Sequence, residues 1–405
     1  MSKKVIFINR FYWPDHSATS QILADLTRNL SLPNREIHVV ASRLLYEGQT
    51  ELLPQAELVD GVYVHRVHTS RFGRDRLVGR AIDYLSFYIS SFFCLLSLVR
   101  AGDIVVAKTD PPLISVCVSA VCQLRRAVLI NWLQDIFPEV ASALQVKGLT
   151  RGPIYNLLKV VRNWSLKKAS ANVVLGEFMA EKIDSEISQP EKTKIIPNWV
   201  VGENMKPIDR GDNFLLQEWK LSDKFIVGYS GNLGRAHDYK TVFNAAARLV
   251  DDERVVFLII GGGAGYELLQ EMVKETGLSN VLFKPYQPSA RLNFSLSVPD
   301  VHIVSLEPGL EGFIVPSKFY GILSVGKPVI FLGDADGELA RIVKREALGK
   351  SIPVGQPGLL IDAINTVRLP INISKFGHNA RLLYERSYSS QASRKLWREV
   401  LREIQ

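Results

Sequence analysis

The sequence predicts two doubly wound α/β domains, and three observations carry that prediction. Short β-rich runs alternate with helical patterns, the alternation breaks once and restarts, and 405 residues exceed the size of one compact core. The first half opens on VIFIN (5–9), followed by the amphipathic ATSQILADLTRNL (18–30). IHVVA (37–41), VYVHRV (62–67), DIVVA (103–107), VLINW (128–132), NVVL (172–175) and KIIP (194–197) continue the series. Apolar strands separated by helices are the pattern of a parallel sheet covered on both faces. After Pro197 and Asn198 the stretch VVGENMKPIDRGDN has no periodicity and reads as a linker. The rhythm then restarts with KFIVGYS (224–230), VVFLIIG (255–261), NVLFKP (280–285), VHIVSL (301–306) and KPVIFL (327–332). The last run, SSQASRKLWREVLREIQ, reads as a cationic amphipathic helix with a serine start. Two such sheets imply a cleft, with ligands at the carboxyl ends of the strands.

Composition narrows the class. The chain is 47% apolar and 22% charged, without low-complexity tracts or a short repeat. Cys94, Cys117 and Cys122 lie in apolar segments without metal-ligand spacing, which fits a reducing compartment. The first residues, MSKKVIFINRFYWPD, fit an opening strand better than a signal peptide. Net charge is +8, and residues 1–200 hold 24 Lys+Arg against 18 Asp+Glu. From Val140 to Gly176 there is no acidic residue, while Lys147, Arg151, Lys159, Arg162, Lys167 and Lys168 supply six cations. Such a patch suits nucleic acid, anionic lipid or a phosphorylated substrate; a solvated helix face would look the same. Within it, Ile154, Leu157, Leu158, Val161 and Trp164 fall on one apolar stripe, which suits a helix on membrane or on the domain core. The run YLSFYISSFFCLLSLV (84–99) is sixteen uncharged residues, short of the ~20 that span a bilayer. It reads as a helix packed in the interior rather than one lying in a membrane surface. Arg66, Arg71, Arg74, Arg76 and Arg80 precede it against the single Asp75, so peripheral membrane contact stays open.

Three features bring chemistry to the second half. GYSGNLGRAHD (228–238) runs strand, glycines, helix, and IIGGGAGYE (259–267) repeats that order. Glycines at such turns let the backbone approach an anion, with a helix N-terminus behind it, and Arg235 adds a fork-shaped donor suited to phosphate. The third feature is EGFIVPSKFYGILSVGKPVIF (311–331), where Lys318 stands in a first helical turn. The macrodipole disfavours a cation there unless an anion joins it. The dinucleotide fingerprint G-x-G-x-x-G is missing from the first βα turn, NRFYWPDHSATSQ, and no GxxxxGK[ST] occurs, which argues against a nicotinamide cofactor and a P-loop ATPase. Asp334 and Asp336 in GDADGE form an Asp-x-Asp pair, and bracketing turn residues make it read as a plain turn rather than a metal site.

These segments resemble bacterial family 4 glycosyltransferases of the GT-B fold, in the branch of sugar transferases associated with fucosamine transfer. The matching stretches run almost end to end: WPDHSATSQILADL, TDPP (109–112), LQDIFPE (133–139), IIPNWV (195–200), YSGNLGRAHDYKTVFNAAARL, IIGGGAGYELL, EGFIVPSKFYGILSVGKPVI and GDADGELARIV. The resemblance implies an acceptor-side Rossmann-like domain over 1–200, a nucleotide-sugar-binding one over 207–386, and a closing helix about 387–405 that packs back on the first. It implies a retaining hexosyltransferase that needs no metal or other cofactor. Carried over by position, Gly231, Asn232, Gly234, Arg235, Gly261, Gly262, Gly263, Pro316, Ser317 and Lys318 would bind the donor. Arg235 and Lys318 would stabilise the diphosphate as the glycosidic bond breaks. Glu311 and Gly312 match the acidic loop near the donor sugar, and Asp135 matches the acidic position facing the reaction centre. Asp15, His16 and Ser17 would lie on the acceptor side.

Departures from the family pattern are specific. Asn232 and His237 replace the usual arginine and lysine of the first glycine loop, and Gly321 stands where relatives place a ribose-binding glutamate. The expectation is therefore a transferase moving a hexose or N-acetylhexosamine, from a UDP-sugar in preference to a GDP-sugar, to a polyprenyl-diphosphate-linked saccharide. It would act in capsule, O-antigen or exopolysaccharide synthesis, peripherally on the cytoplasmic face of the inner membrane, without nucleic acid. A nucleotide-sugar 2-epimerase of the same fold and a non-enzymatic nucleic-acid or anionic-lipid binding protein are the alternatives.

Overall fold

The computed structural model describes every residue except 1–2, 47–51, 74–76, 147, 203–204 and 405. Arg74, Asp75, Arg76 and Lys147 of the basic segments thus lie outside the described residues. The chain divides into two compact units. The first comprises Met1–Pro197, Gly312–Ile314 and Ser393–Gln405; the second comprises Asn198–Glu311 and Val315–Ala392.

Eight strands form the sheet of the first unit: β1 (Lys3–Ile8), β2 (Arg35–Ser42), β3 (Ala56–Val59), β4 (Val62–Val67), β5 (Ile104–Lys108), β6 (Val128–Trp132), β7 (Ala171–Val174) and β8 (Thr193–Ile195). Their order is β3-β4-β2-β1-β5-β6-β7-β8, parallel except for the β3–β4 pair. The second unit holds β9 (Phe225–Asn232), β10 (Val255–Gly262), β11 (Val281–Lys284), β12 (Val301–Ser305), β13 (Val329–Leu332) and β14 (Gly349–Ile352). Their order is β11-β10-β9-β12-β13-β14, all parallel. Strand order reverses beside β1 and beside β9, as in doubly wound sheets. The edge strands β3 and β14 carry no long apolar run, and the strand pattern in the sequence passes over both. The stretch after Pro197 is less independent than a linker: Val200 and Met205 pack on Leu296 and Val325 of the second unit.

One helical layer of the first unit departs from expectation. Helices Leu77–Leu98, Ile114–Arg125 and Pro153–Lys168 pack side by side in that order. The first extends well beyond the sixteen-residue uncharged run, to 22 residues. Asp83, Phe87, Ser91, Leu95 and Val99 form its buried stripe, four residues apart. Its opposite stripe, Val78, Ile82, Leu85, Ile89 and Phe93, is exposed although it is equally apolar. The interior placement therefore holds for only one face. The helix Pro153–Lys168 separates the two settings open to its apolar stripe, membrane and domain core, since the stripe is largely turned away from the core. Arg162, Ser165 and Leu166 point inward, whereas Ile154, Leu157 and Trp164 are exposed. The buried cation is tolerated because Arg162 Nη2 donates to Glu139 Oε1 at 2.7 Å. Lys159 pairs with Glu186 at 2.5 Å, which leaves Arg151, Lys167 and Lys168 as the exposed cations among the described residues of that segment.

The final helix, Ser390–Glu403, joins the first unit through Trp397. The indole is fully buried, edge-on to Phe7 at 6.3 Å and to Trp132 at 4.6 Å between ring centroids. Arg394 Nη2 pairs with Asp25 at 2.5 Å beside it. Replacing Trp397 by Ala should cost the first unit about 3–5 kcal/mol. Urea unfolding followed by circular dichroism checks this, with an earlier midpoint as the expected outcome.

Candidate active site

In the second unit, the two glycine turns lie side by side because β9 and β10 are in register to their last residues, with Gly231 opposite Gly261 and Asn232 opposite Gly262. Gly261 has φ +141° and Gly263 φ +111°, both in the region L residues avoid. A Cβ on Gly261 would stand 2.1 Å from the Gly231 carbonyl oxygen, and one on Gly263 2.1 Å from Asn232 Oδ1. The Leu233 N–H donates to Gly262 O at 2.8 Å and the Gly265 N–H to Leu233 O at 2.7 Å. These glycines and amides bind one turn to the other.

Lys318 closes this arrangement. The helix Lys318–Ser324 starts at that residue, and its N-cap Ser317 makes no side-chain cap. Lys318 Nζ donates to the Tyr229 hydroxyl and to Asn232 O at 3.2 Å, and it sits 4.0 Å from the centroid of the Tyr229 ring. Tyr229 Oη in turn donates to Asn232 O at 3.0 Å. Among the described residues no carboxylate reaches Lys318 within salt-bridge distance. Desolvation pushes its ammonium well below the ordinary lysine range, and burial pushes the Tyr229 phenol well above its own.

His237 stands beside this pair, its ring 6.1 Å from that of Tyr229. Its Nδ1 lies 2.5 Å from Ser305 O. A carbonyl only accepts, so Nδ1 carries the proton and Nε2 is left as an acceptor. Burial and then Lys318 push the imidazole down to about 3, against the bond to Ser305, so the ring is neutral at pH 7. The usual lysine of this loop is therefore replaced by an uncharged ring. Arg235 is exposed on the same turn, and Gly234 packs on Asn232.

Glu311 points into the start of the helix Glu338–Arg345. Its Oε2 accepts from the Glu338 N–H at 3.4 Å, and a Cβ on Gly337 would fall 2.3 Å from Oε1. Burial, with Asp334 and Glu338 adding, pushes its carboxyl up to about 7 although the Glu338 N–H opposes this. Asp334 Oδ1 accepts from the Asp336 N–H at 3.0 Å, so the Asp-x-Asp pair closes a turn. Pro316 is buried and accepts from Phe319 N at 3.1 Å, whereas Ser317 is exposed. A Cβ on Gly321 would meet only Leu296 at 3.4 Å and Val200 at 3.9 Å, so a side chain at this position would face the core of its own unit. Gly312 belongs to the first unit, where it packs on Lys182 and Phe178.

In the first unit, Asp135 follows β6 and bridges to Ile314. It is not a helix cap, since the next helix begins at Glu139 behind Pro138. Its carboxyl lines a cavity of about 20 Å³ with Lys108, Asn131 and Arg162, room for about one water. Burial and then the Asp110 carboxylate push Asp135 up to about 7. Asp15 is buried in a structural role: Oδ1 accepts from Ser17 N at 2.8 Å and Oδ2 from Tyr46 N. His16 is exposed beside it, and Ser17 starts the helix Ala18–Asn29. Sequence reading passed over Tyr229, Gly337 and Lys108. Lys108 is buried at the end of β5, 3.9 Å from the Trp132 ring centroid, with Nζ donating to Thr19 O at 3.0 Å. A lysine ending a wholly apolar strand was the available signal for it.

Comparison with known proteins decides the class. Residues 213–370 match the family described as glycosyl transferases group 1. The chain is similar to the probable glycosyltransferase WbjE of Pseudomonas aeruginosa, 27% identical over 331 residues and 80% of each chain. It is also 27% identical to the putative colanic acid biosynthesis glycosyl transferase WcaI of Escherichia coli K12, over 65% of each. Among solved structures, a sucrose-phosphate synthase from Thermosynechococcus elongatus superposes with TM-score 0.80 at 15% identity, covering 99% of both chains. Anabaena HepE in complex with UDP-glucose gives 0.69 at 15% identity, again over 99% of both. The fold is GT-B, two Rossmann-like parallel-sheet domains, and the protein is a transferase enzyme.

The raised Asp135 pKa predicts a pH-dependent stability. A carboxyl whose folded value lies above its unfolded one favours the fold while protonated, and that advantage is lost as pH rises through about 7. Asp135→Asn should therefore raise the melting temperature of the glycosyltransferase at pH 8, by a gain on the order of 1–2 kcal/mol, and leave it near unchanged at pH 4.

Proposed function

We propose that the enzyme is a retaining, metal-independent transferase of the fucosamine-transferase-like branch. It moves a hexose or N-acetylhexosamine from a nucleotide-diphosphate sugar, UDP-sugar in preference, to a polyprenyl-diphosphate-linked saccharide in bacterial surface polysaccharide synthesis. It works peripherally on the anionic cytoplasmic face of the inner membrane. The observation that carries this reading is Lys318: an ammonium held on an aromatic ring and a backbone carbonyl, beside paired glycine turns, without a carboxylate partner among the described residues. Such a group is incomplete until an anion arrives. Support from relatives comes from WcaI, whose name refers to colanic acid synthesis, and from HepE, which was solved with UDP-glucose.

The chemistry follows from charge. Breaking the bond between the anomeric carbon and the diphosphate leaves growing negative charge on the leaving oxygen. A desolvated cation already in place stabilises that charge with little reorganisation. Lys318 would take this role, with Arg235 swinging in from the exposed turn as the second cation. Neutral His237 would leave the site one charge weaker than in relatives with a lysine there. Glu311 and Asp135, each raised to about 7, would hold sugar hydroxyls on the donor and acceptor sides. Their partly protonated carboxyls can donate as well as accept.

Two measurements test this. UDP at about 100 times its dissociation constant should add about 2.7 kcal/mol to the stability of the second unit. Lys318→Ala should abolish most of that thermal shift, and an unchanged shift would remove the role given to Lys318. Diphosphate binding should also raise the depressed Lys318 pKa, so the bound state takes up protons and affinity falls as pH rises. Calorimetry at pH 8 in buffers of different ionisation enthalpy should register that uptake in the unaltered chain and lose it in Lys318→Ala.

A further inference from the structure

The helical layer of the first unit presents an apolar face to solvent, and that face differs from ordinary surface. Val78, Ile82, Leu85, Ile89 and Phe93 follow one another at helical spacing, and all five are exposed. Two helices along in the same layer, Ile154, Leu157 and Val160 are at least 60% exposed, with Trp164 beside them. Scattered exposed apolar residues need no explanation; two aligned stripes on one layer do.

Charge shows what covers them. Across the three helices, Leu77–Leu98, Ile114–Arg125 and Pro153–Lys168, the only acidic residue is Asp83. It is buried, and its carboxylate accepts from Ser70 Oγ at 2.7 Å and from the Phe72 and Gly73 N–H groups at 3.0 and 3.2 Å. Exposed cations stand at the helix ends instead: Arg125 and Arg126 at the end of the second, and Lys167 and Lys168 at the end of the third. A second copy seated on this face would bring two positive surfaces together. An anionic bilayer satisfies both features, since acyl chains accept the stripes and headgroups meet the cations.

The first helix is also long and apolar enough, by length and composition, to cross a membrane, and only 22% of that stretch is buried. At 1.5 Å per residue its 22 residues reach about 33 Å. Crossing is nevertheless barred. Phe87, Leu95 and Val99 on its inner stripe belong to the unit's core with Ile6, Val105 and Val118, and the charged Asp83 shares that stripe. Leaving the unit would strip that core. The helix is therefore held parallel to its neighbours, as part of a plane.

We propose that this two-stripe face is an interfacial membrane-docking surface, in which the helices Leu77–Leu98 and Pro153–Lys168 lie flat at the headgroup–acyl boundary of an anionic bilayer. It rests on the membrane-peripheral reading above and assigns that contact to one face of the first unit. The full chain should co-sediment with vesicles of phosphatidylglycerol and phosphatidylethanolamine, and weakly with phosphatidylcholine alone. Ile89→Ser with Phe93→Ser should cut vesicle binding at least about ten-fold, with an unchanged urea midpoint of the first unit showing an intact fold. Lys167→Glu with Lys168→Glu should lower binding to the anionic vesicles and flatten its salt dependence. Undiminished binding by both double variants overturns the proposal. So does a dimer in sedimentation velocity that Ile89→Ser with Phe93→Ser dissolves, because the face would then belong to a second copy. Vesicle binding by this face without transfer from any nucleotide sugar would sink the transferase reading and leave the docking surface standing.

Discussion

An ammonium without a carboxylate partner among the described residues is the constraint around which the second unit is arranged. Lys318 is kept partly out of water on the Tyr229 ring and the Asn232 carbonyl, and both come from the end of β9. That strand end is held in place by its neighbour, because Gly261 and Gly263 lack the Cβ atoms that would collide with Gly231 and Asn232. The paired turns thus act on the lysine indirectly: they fix the backbone carbonyl and the ring that it rests on. The same desolvation that weakens its hold on a proton strengthens its interaction with an arriving anion. His237, neutral and tied to Ser305, adds no competing negative charge.

The two raised carboxyls follow the same logic from the other sign. Glu311 sits at a helix start where free N–H groups favour its anion, yet burial and neighbouring acids outweigh that help. Asp135 has Asp110 near it and little water. Each unit therefore holds a carboxyl that titrates near neutrality, in places where an ordinary surface acid would titrate far lower.

Much of this was legible in residue order, and what escaped did so for physical reasons. Lys318 was visible because a cation in a first helical turn contradicts the macrodipole. The glycine turns were visible too, but their contact with each other was not: it depends on the β9–β10 register, which no local window contains. Gly321 was singled out by resemblance alone, while Leu296 and Val200 decide which way a side chain there would face. The helix Leu77–Leu98 failed for a different reason. Its outer stripe is wholly apolar while its inner one carries Asp83 and Ser91, so hydrophobic periodicity cannot pick out the stripe that meets the core. The short edge strands β3 and β14 are recognised only through their partners.

Trp397 has a consequence for the order in which the chain can finish folding. Its indole covers Phe7 and Trp132, residues made near the start and within the first third of synthesis. Everything from Asn198 to Ala392 separates them from that cover, apart from the short Gly312–Ile314 segment. A ribosome therefore releases the whole second unit before the first can complete its core. The earliest part of the protein to be made is the last to be sealed, so a nascent chain halted before residue 397 leaves two buried aromatic faces open to chaperones or to aggregation.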